Sequence, residues 1–224
     1  PLSWIHTAAE HNRFEDNHFF ADIFKKNART RSAPNEKMAY SNLGYILLGQ
    51  LIEHITGSSY EQYIRTEILQ PLGLGPEDIG FTIPNPALHA KGYHKRMSFS
   101  NLLLGFFINK SKYMGPAEGA WTPFVPFYVN GTAYGGLIGK PMAFARFVQA
   151  LLHPESPLLS KASIDMMLTE NHTVQGKPTG MCLGWFTSDL DGKRFCAHAG
   201  GGGGYYCEIR IYPDEGMGSV IFFN

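Results

Sequence analysis

Tyr40, Ser41 and Asn42 stand together directly before a segment with helical periodicity. An unperturbed phenol titrates at about pH 10, and a nearby cation can lower its pKa until Tyr40 acts as a general base toward a serine hydroxyl. The Asn42 amide can donate to a substrate and accept from a lysine. The same tripeptide is also the pattern of a capping pair before a helix, with Tyr40 packed as an ordinary aromatic residue.

A second candidate lies far downstream, where His198-Ala199-Gly200 precedes a run of glycines. Glycines that lead into a strand let a ligand approach the backbone closely. A backbone N–H just beyond the motif can form half of an oxyanion hole, the preorganised donor that acyl transfer needs. His198 can bind a carboxylate when protonated, or hold a proton network when neutral. The alternative is a flexible glycine turn beside a surface histidine.

Other catalytic patterns are missing from the sequence. It contains no H-E-x-x-H or C-x-x-C spacing, no G-x-S-x-G elbow and no phosphate-binding G-x-x-x-x-G-K-[ST] loop. We therefore predict no metal site, no α/β-hydrolase elbow and no nucleotide site.

The composition of the chain indicates which kinds of partner and which compartment to expect. The chain of 224 residues has a formal net charge of zero and is 44% hydrophobic, which favours an ordered domain and no nucleic-acid partner. Its apolar runs are shorter than the roughly 18 residues of a membrane span. Cysteine occurs only at Cys182, Cys196 and Cys207. An odd number without close spacing favours free thiols in a reducing compartment, hence the cytoplasm over the periplasm.

Several elements can be predicted around the first candidate. Apolar residues recur at helical spacing from residue 43 to 55, which predicts a helix with one buried face formed by Leu43, Ile46, Leu47, Leu51 and Ile55. Gly57 occupies the position of a C-terminal cap. Pro141 is placed to begin another helix. Residues 72 to 135 are rich in glycine, proline and aromatic residues, and their pattern favours no particular element.

The pattern changes to strands near Gly180. Asp191-Gly192 between two strand-like segments predicts a hairpin. Residues 205 to 212 alternate as in a strand with one buried face, and residues 220 to 223 are continuously apolar, which predicts a strand covered on both faces. We therefore predict one α+β domain over residues 1–224, with a mainly helical and loop region at 1–180 and antiparallel strands at 181–224.

The order of these motifs resembles one family. Five segments are similar to class C β-lactamases, the related DD-peptidases and the family VIII esterases, in the same order, from about residue 30 to 224. They are residues 38–49 around Tyr40, residues 70–74, Gly135-Gly136-Leu137-Ile138 with residues 145–152, Leu183-Gly184-Trp185, and His198-Ala199-Gly200.

The resemblance implies a β-lactamase/transpeptidase-like fold, in which an antiparallel sheet packs with helices beside a mainly helical region. It assigns Tyr40 and Asn42 to the Tyr-x-Asn motif, with Tyr40 assisting proton transfer. His198 and Gly200 take the first and third places of the Lys-Thr-Gly or His-x-Gly motif, and Gly201 supplies an oxyanion-hole amide. The implied reaction is acyl transfer without a cofactor, on a small molecule or peptide. Histidine in place of lysine favours esterase or peptidase chemistry over lactam hydrolysis.

The nucleophile motif of that family, Ser-x-x-Lys, does not occur in this sequence, because no lysine has a serine three places before it. In that family this motif precedes the Tyr motif, and a helix that packs on the sheet follows the point where this chain stops. We therefore expect the chain to be incomplete at both ends and inactive by itself. The serine would come from a missing N-terminal segment or from a complementing chain. The alternative function is a non-catalytic module of the same fold that binds a ligand or peptide.

Overall fold

The computed structural model of the chain describes residues 4–13, 16–30 and 32–224. Within them the α-helices are α1 (Asp16–Lys26), α2 (Asn42–Thr56), α3 (Tyr60–Ile64), α4 (Phe99–Phe107), α5 (Lys110–Tyr113), α6 (Pro141–Leu152) and α7 (Lys161–Met167). The strands are β1 (Ile5–Thr7), β2 (Ile79–Gly80), β3 (Tyr93–Lys95), β4 (Trp121–Pro123), β5 (Phe127–Val129), β6 (Ile138–Gly139), β7 (Phe186–Leu190), β8 (Lys193–Gly202), β9 (Tyr205–Tyr212) and β10 (Met217–Phe223). This mixture of helices and antiparallel strands confirms the predicted α+β class.

Strands β7 to β10 form one antiparallel sheet in the order β10-β9-β8-β7. Asp191 and Gly192 join β7 to β8 with φ angles of 53° and 76°. A two-residue turn with positive φ at both positions matches the twist of the strands that it connects. The hairpin predicted at Asp191-Gly192 is therefore confirmed.

A second tight turn, between β8 and β9, departs from the sequence interpretation. The glycine run was expected to lead into a strand, but Gly200, Gly201 and Gly202 lie within β8 and pair with Cys207, Tyr206 and Tyr205. The chain reverses only at Gly203 and Gly204, with φ angles of 59° and 83°. Backbone pairing with β9 makes these glycines a strand, although glycine by itself has a low tendency to form one.

The tip of this hairpin packs closely against the rest of the chain. A Cβ atom added to Gly204 would lie 2.3 Å from the backbone nitrogen of Tyr93, and one added to Gly203 would lie 2.4 Å from the Phe127 ring. The hydroxyl of Tyr205 donates to the carbonyl oxygen of Ala90 at 2.6 Å. Only glycine permits both the positive φ and this approach of two backbones.

One face of the sheet is covered by α6 and α7 and forms the largest core. Its buried members are Val148, Leu151, Ile164, Leu168, Cys182, Trp185, Cys196 and Ile211. Gly218 in β10 lets α6 approach, because a Cβ atom there would lie 2.3 Å from Val148. As predicted, Pro141 begins α6, where its missing N–H removes no helical hydrogen bond.

On the opposite face of the sheet, the side chains of the edge strand β10 are exposed. Ile221 and Phe223 are exposed, whereas Val220 and Phe222 are partly buried. The prediction that this strand is covered on both faces is wrong for the described residues, because α6 packs against one face and no described helix packs against the other. The continuous apolar run therefore forms a strand with only one covered face among the described residues.

Helix α2 has the predicted ends but not the predicted burial. The Ser41 hydroxyl caps its first turn by accepting from the amide of Gly44 at 3.1 Å, and Gly57 ends it in the left-handed conformation. Ile46 packs in a core with Trp4 and Phe20. By contrast Leu47, Leu51 and Ile55 are exposed, although the periodicity predicted that they share its buried face. The described residues supply a partner for only one side of this helix.

Residues 72–135, which had no predicted elements, contain the short strands β2 to β5, and two of these pair with β1 and β6, which lie outside this range. β1 pairs with β5, β2 with β6 and β3 with β4, all antiparallel. Helices α4 and α5 lie between β3 and β4. Strands of two or three residues are too short for period-two alternation to reveal them in a sequence.

Candidate active site

The first candidate residue, Tyr40, lies immediately before the capping serine of α2. Ser41 has extended backbone angles and accepts from the helix amide of Gly44, so the chain enters the helix with a fixed turn. The Tyr40 side chain is 42% exposed. Its ring centroid lies 5.6 Å from that of Tyr45 and 6.0 Å from that of Phe186.

The structure brings the second candidate, His198, against Tyr40. The two ring centroids are 5.9 Å apart, and the His198 ring is also 5.9 Å from that of Phe186. Tyr40 is carried by the entry to α2 and His198 by β8, so only the packing of the sheet beside the helices places them together. The two motifs that were separate in the sequence thus form one cluster.

Next to His198, one edge of β8 is open among the described strands. β7 begins with Phe186, which pairs with Ala197. Residues 198–202 continue beyond β7 and pair only on their other side, with β9. An unpaired strand edge presents backbone donors and acceptors that an extended ligand can bind.

The two tight turns decide which amides face this edge. Residues that flank a two-residue hairpin turn exchange both backbone hydrogen bonds, and the direction then alternates along the strand. Lys193 flanks the first turn, so its amide faces β7, and Gly202 flanks the second, so its amide faces β9. Both assignments agree in directing the amides of Ala199 and Gly201 toward the open edge.

The other two predicted site residues, Asn42 and Gly200, have fewer contacts that fix their positions. Asn42 is the first residue of α2 and is partly buried, and its side chain makes no hydrogen bond with a described residue. It follows Tyr40 by two residues in the chain. Gly200 pairs with Cys207, and a Cβ atom on Gly200 would lie 3.3 Å from the Cys207 sulfur.

Burial controls the ionisation of the cluster. It raises the pKa of Tyr40, which is opposite to the lowering that the sequence interpretation anticipated from nearby cations. It also lowers the pKa of His198, which favours the neutral imidazole at pH 7. As described, the cluster is a neutral phenol beside a neutral imidazole.

Two neighbours of the cluster were not identified from the sequence. Tyr45 packs on Tyr40 from the first turn of α2, and burial raises its pKa as well. Phe186 contacts both Tyr40 and His198 from the start of β7. Neither was singled out in the sequence, because the residue type alone does not indicate which side chain an aromatic residue will contact.

The lowered pKa of His198 gives a testable dependence of stability on pH. The unfolded chain binds a proton near the ordinary value of 6.5, while the folded chain resists it. The contribution to stability is therefore fully present above pH 6.5 and is lost as the pH falls toward the folded pKa. Between about pH 7.5 and about pH 5, His198→Gln should lose less free energy of unfolding than the unchanged protein.

Urea unfolding at each pH measures this difference. Replacement of the exposed His54 by glutamine is the matched control for the loss of a histidine at another site. If the free energy of unfolding depended on pH in the same way in the unchanged protein and in His198→Gln, the lowered pKa of His198 would be contradicted.

The site thus consists of a tyrosine and a histidine that meet at an open strand edge of an antiparallel sheet with helices packed on one face. The family model described as Beta-lactamase matches residues 7–224, and the chain belongs to this family, within the serine hydrolase superfamily. The resemblance found in the sequence is thereby confirmed.

Two similar proteins support membership of the β-lactamase family. The chain is 28% identical over 198 residues to penicillin-binding protein 4* of Bacillus subtilis (strain 168), covering 85% of this chain and 40% of that protein. It is 22% identical over 207 residues to the D-aminopeptidase of Brucella canis, covering 91% of this chain and 35% of that protein. The chain thus spans less than half of the length of these relatives.

Solved structures show the same fold. The octameric penicillin-binding protein homologue from Pyrococcus abyssi superposes with a TM-score of 0.70 at 24% identity, covering 93% of this chain and 43% of that one. The D-amino acid amidase from Ochrobactrum anthropi SV3, complexed with D-phenylalanine, gives a TM-score of 0.65 at 17% identity, covering 93% and 56%.

Proposed function

We propose that this chain carries the tyrosine and histidine part of a serine hydrolase site that works through an acyl-enzyme. The observation that carries the proposal is the contact of Tyr40 with His198 beside the open edge of β8, where the Gly201 amide points outward. Phenol, imidazole and strand amide are the groups that move a proton and stabilise an oxyanion in acyl transfer.

We assign the nucleophile to polypeptide outside these residues, because residues 1–224 contain no Ser-x-x-Lys. That polypeptide is either another part of the same protein or a complementing chain. Loss of such a nucleophile costs on the order of a millionfold in kcat, so residues 1–224 alone are inactive in this proposal.

Each residue has a role in the proposed reaction. The serine oxygen attacks the substrate carbonyl while its proton passes toward Tyr40, whose raised pKa requires a cation to be brought close. The lysine of the Ser-x-x-Lys segment would be that cation. The amide of Gly201 donates to the oxyanion, and Asn42 donates to the substrate amide. The leaving amine or alcohol takes up the proton, and water then releases the acyl group.

The substrate that fits this site best is an amide or ester without an obligatory carboxylate. A lysine at the position of His198 would hold a permanent positive charge for a substrate carboxylate, whereas burial keeps His198 neutral at pH 7. Several relatives are named for amide bonds, including the D-aminopeptidase of Brucella canis and the D-alanyl-D-alanine-carboxypeptidase/endopeptidase AmpH of Escherichia coli. We therefore propose amides and esters whose acyl part is an amino acid or a short peptide, D-residues included, ahead of lactams.

The test uses the protein at its natural full length with D-alanine p-nitroanilide, D-alanyl-D-alanine, a p-nitrophenyl ester and a chromogenic cephalosporin. We expect turnover of the anilide and the ester to exceed that of the two substrates that carry a carboxylate. A fluorophosphonate probe should label a serine outside residues 1–224. Ligand binding without turnover or serine labelling would instead establish the non-catalytic module.

A further inference from the structure

Helix α4 presents an apolar face to the outside of the molecule. Its large apolar residues follow the spacing i, i+3, i+4, i+7 and i+8, which places them on one side of a helix. All are exposed, with relative exposures of 75% for Phe99, 65% for Leu102, 39% for Leu103, 81% for Phe106 and 66% for Phe107. A stripe of this kind ordinarily faces the core of its own domain.

Polar contacts hold α4 in this orientation. Asn101 is buried on the inner side, and its side-chain amide donates to the carbonyl oxygens of Lys95 at 3.3 Å and Arg96 at 2.8 Å. The Lys110 ammonium group in turn donates to the backbone carbonyl oxygen of Asn101. The helix is therefore attached to its own flanking segments by hydrogen bonds, and its apolar stripe is left for another partner.

The sequence segment that contains α4 carries lysine and arginine but no acidic residue. From residue 79 to residue 117 there is no aspartate or glutamate, and the cations are Lys91, Lys95, Arg96, Lys110 and Lys112. The whole chain has a formal charge of zero, so this segment concentrates the positive charge. Lys112 pairs with Glu10 at 2.8 Å and Lys91 with Glu118 at 2.6 Å. Lys95 and Arg96 are exposed and form no ion pair with a described residue.

A tryptophan stands at the base of the same segment. Trp121 in β4 pairs with Lys95 in β3 and is 49% exposed. Met97, between β3 and α4, is 85% exposed. Tryptophan is enriched where a protein meets the polar boundary of a bilayer.

We propose that α4 lies flat in the headgroup region of an anionic bilayer. Its apolar stripe enters the boundary of the acyl chains, while Lys95 and Arg96 contact lipid phosphates. At about 1.5 Å per residue the helix is far shorter than a bilayer is thick. In the described part of the chain, no helix combines the length and apolar character needed to cross a membrane. This surface goes beyond the proposed hydrolysis and does not depend on it.

Positive charge favours an anionic lipid surface over a second copy of this chain as the partner of α4. A second copy of this chain docked through α4 would bring two sets of cations to one interface, and residues 79–117 of neither copy supply a carboxylate to pair with them. Helix α2 also exposes apolar residues, but its sequence contains no lysine or arginine. The combination of an apolar stripe and unpaired cations therefore distinguishes α4 from the exposed side of α2.

The binding test uses the purified protein and two kinds of vesicle, phosphatidylcholine alone and phosphatidylcholine with about 30% phosphatidylglycerol. We expect co-sedimentation with the anionic vesicles and little with the neutral ones. Tryptophan emission should shift to shorter wavelength on binding. Because Trp4 and Trp185 are buried and Trp121 is exposed, this shift reports the base of α4.

Matched variants separate the two parts of the surface. Leu102→Ser with Phe106→Ser should abolish binding, whereas Leu51→Ser with Ile55→Ser, which are also exposed but lie on α2, should leave it unchanged. Lys95→Gln with Arg96→Gln should weaken binding about 10- to 30-fold, since each cation near an anionic surface contributes about fivefold. Charge removal at the exposed Lys37 and Lys177 should change it less than about threefold. Equal urea midpoints establish that the variants are folded.

Three results would overturn the proposal. The first is no sedimentation with either vesicle. The second is equal sedimentation with both, which would remove the role of charge. The third is a fall in oligomer mass by light scattering in the Leu102→Ser, Phe106→Ser variant while its vesicle binding is unchanged, which would assign the face to a second copy of the chain.

Discussion

Replacement of Tyr40 by phenylalanine is expected to lower kcat of the full-length protein by about 10²- to 10⁴-fold, the usual contribution of one positioned proton-transfer group. The hydroxyl is the only group removed, and the ring still packs against Tyr45, Phe186 and His198. Because no described residue hydrogen-bonds this hydroxyl, the free energy of unfolding should change by less than about 0.5 kcal/mol.

The measurement is steady-state hydrolysis of the best amide substrate, with urea unfolding in parallel. Tyr60→Phe is the matched control, because burial raises the pKa of Tyr60 too but its ring lies against Phe81. Tyr60→Phe should keep kcat within about threefold of the unchanged protein. If both variants lost the same activity, Tyr40 would have no special place in proton transfer.

The second large effect is expected at Gly204, in the turn between β8 and β9. An alanine there must adopt a φ of 83°, and its Cβ atom would lie 2.3 Å from the backbone nitrogen of Tyr93. The left-handed conformation costs roughly 1–2 kcal/mol and overpacking roughly 1–3 kcal/mol, so Gly204→Ala should lower the free energy of unfolding by about 2–5 kcal/mol. A backbone atom cannot rotate away as a side chain can.

Gly216→Ala separates the two causes. Gly216 also has a positive φ, of 63°, but a Cβ atom there would meet nothing within 4 Å. The Gly216→Ala variant should lose only roughly 1–2 kcal/mol of its free energy of unfolding in the same urea titration. Equal losses at the two glycines would mean that the hairpin tip does not approach β3. A Gly204→Ala protein that remains folded should also lose kcat, because the turn begins two residues after Gly201 in the same hairpin.

Features decided by neighbouring residues could be predicted from the sequence. The Ser41 cap, the Gly57 end of α2, the start of α6 at Pro141 and the Asp191-Gly192 hairpin all depend on the conformations that these residue types favour. The family could be identified as well, because Tyr40 and His198 stand in a characteristic order with the segments between them.

The tertiary structure alone decided which surfaces are covered. Helical periodicity predicts that one side of α2 is apolar, but Leu51 and Ile55 are exposed because no described element packs there. The stripe of α4 faces outward for a related reason, since Asn101 rather than Phe106 is held on the inner side. Periodicity locates an apolar face and contains no information about its partner.

The geometry of the site also came only from the fold. Tyr40 and His198 lie far apart along the chain, and their contact exists because the sheet packs beside α2. The outward amide of Gly201 depends on where β7 begins relative to β8. The pKa of Tyr40 rises because desolvation of the phenolate outweighs other influences in this environment. Distances between remote segments, strand register and burial arise from long-range packing, whereas caps, turns and motif order are written in short stretches of sequence.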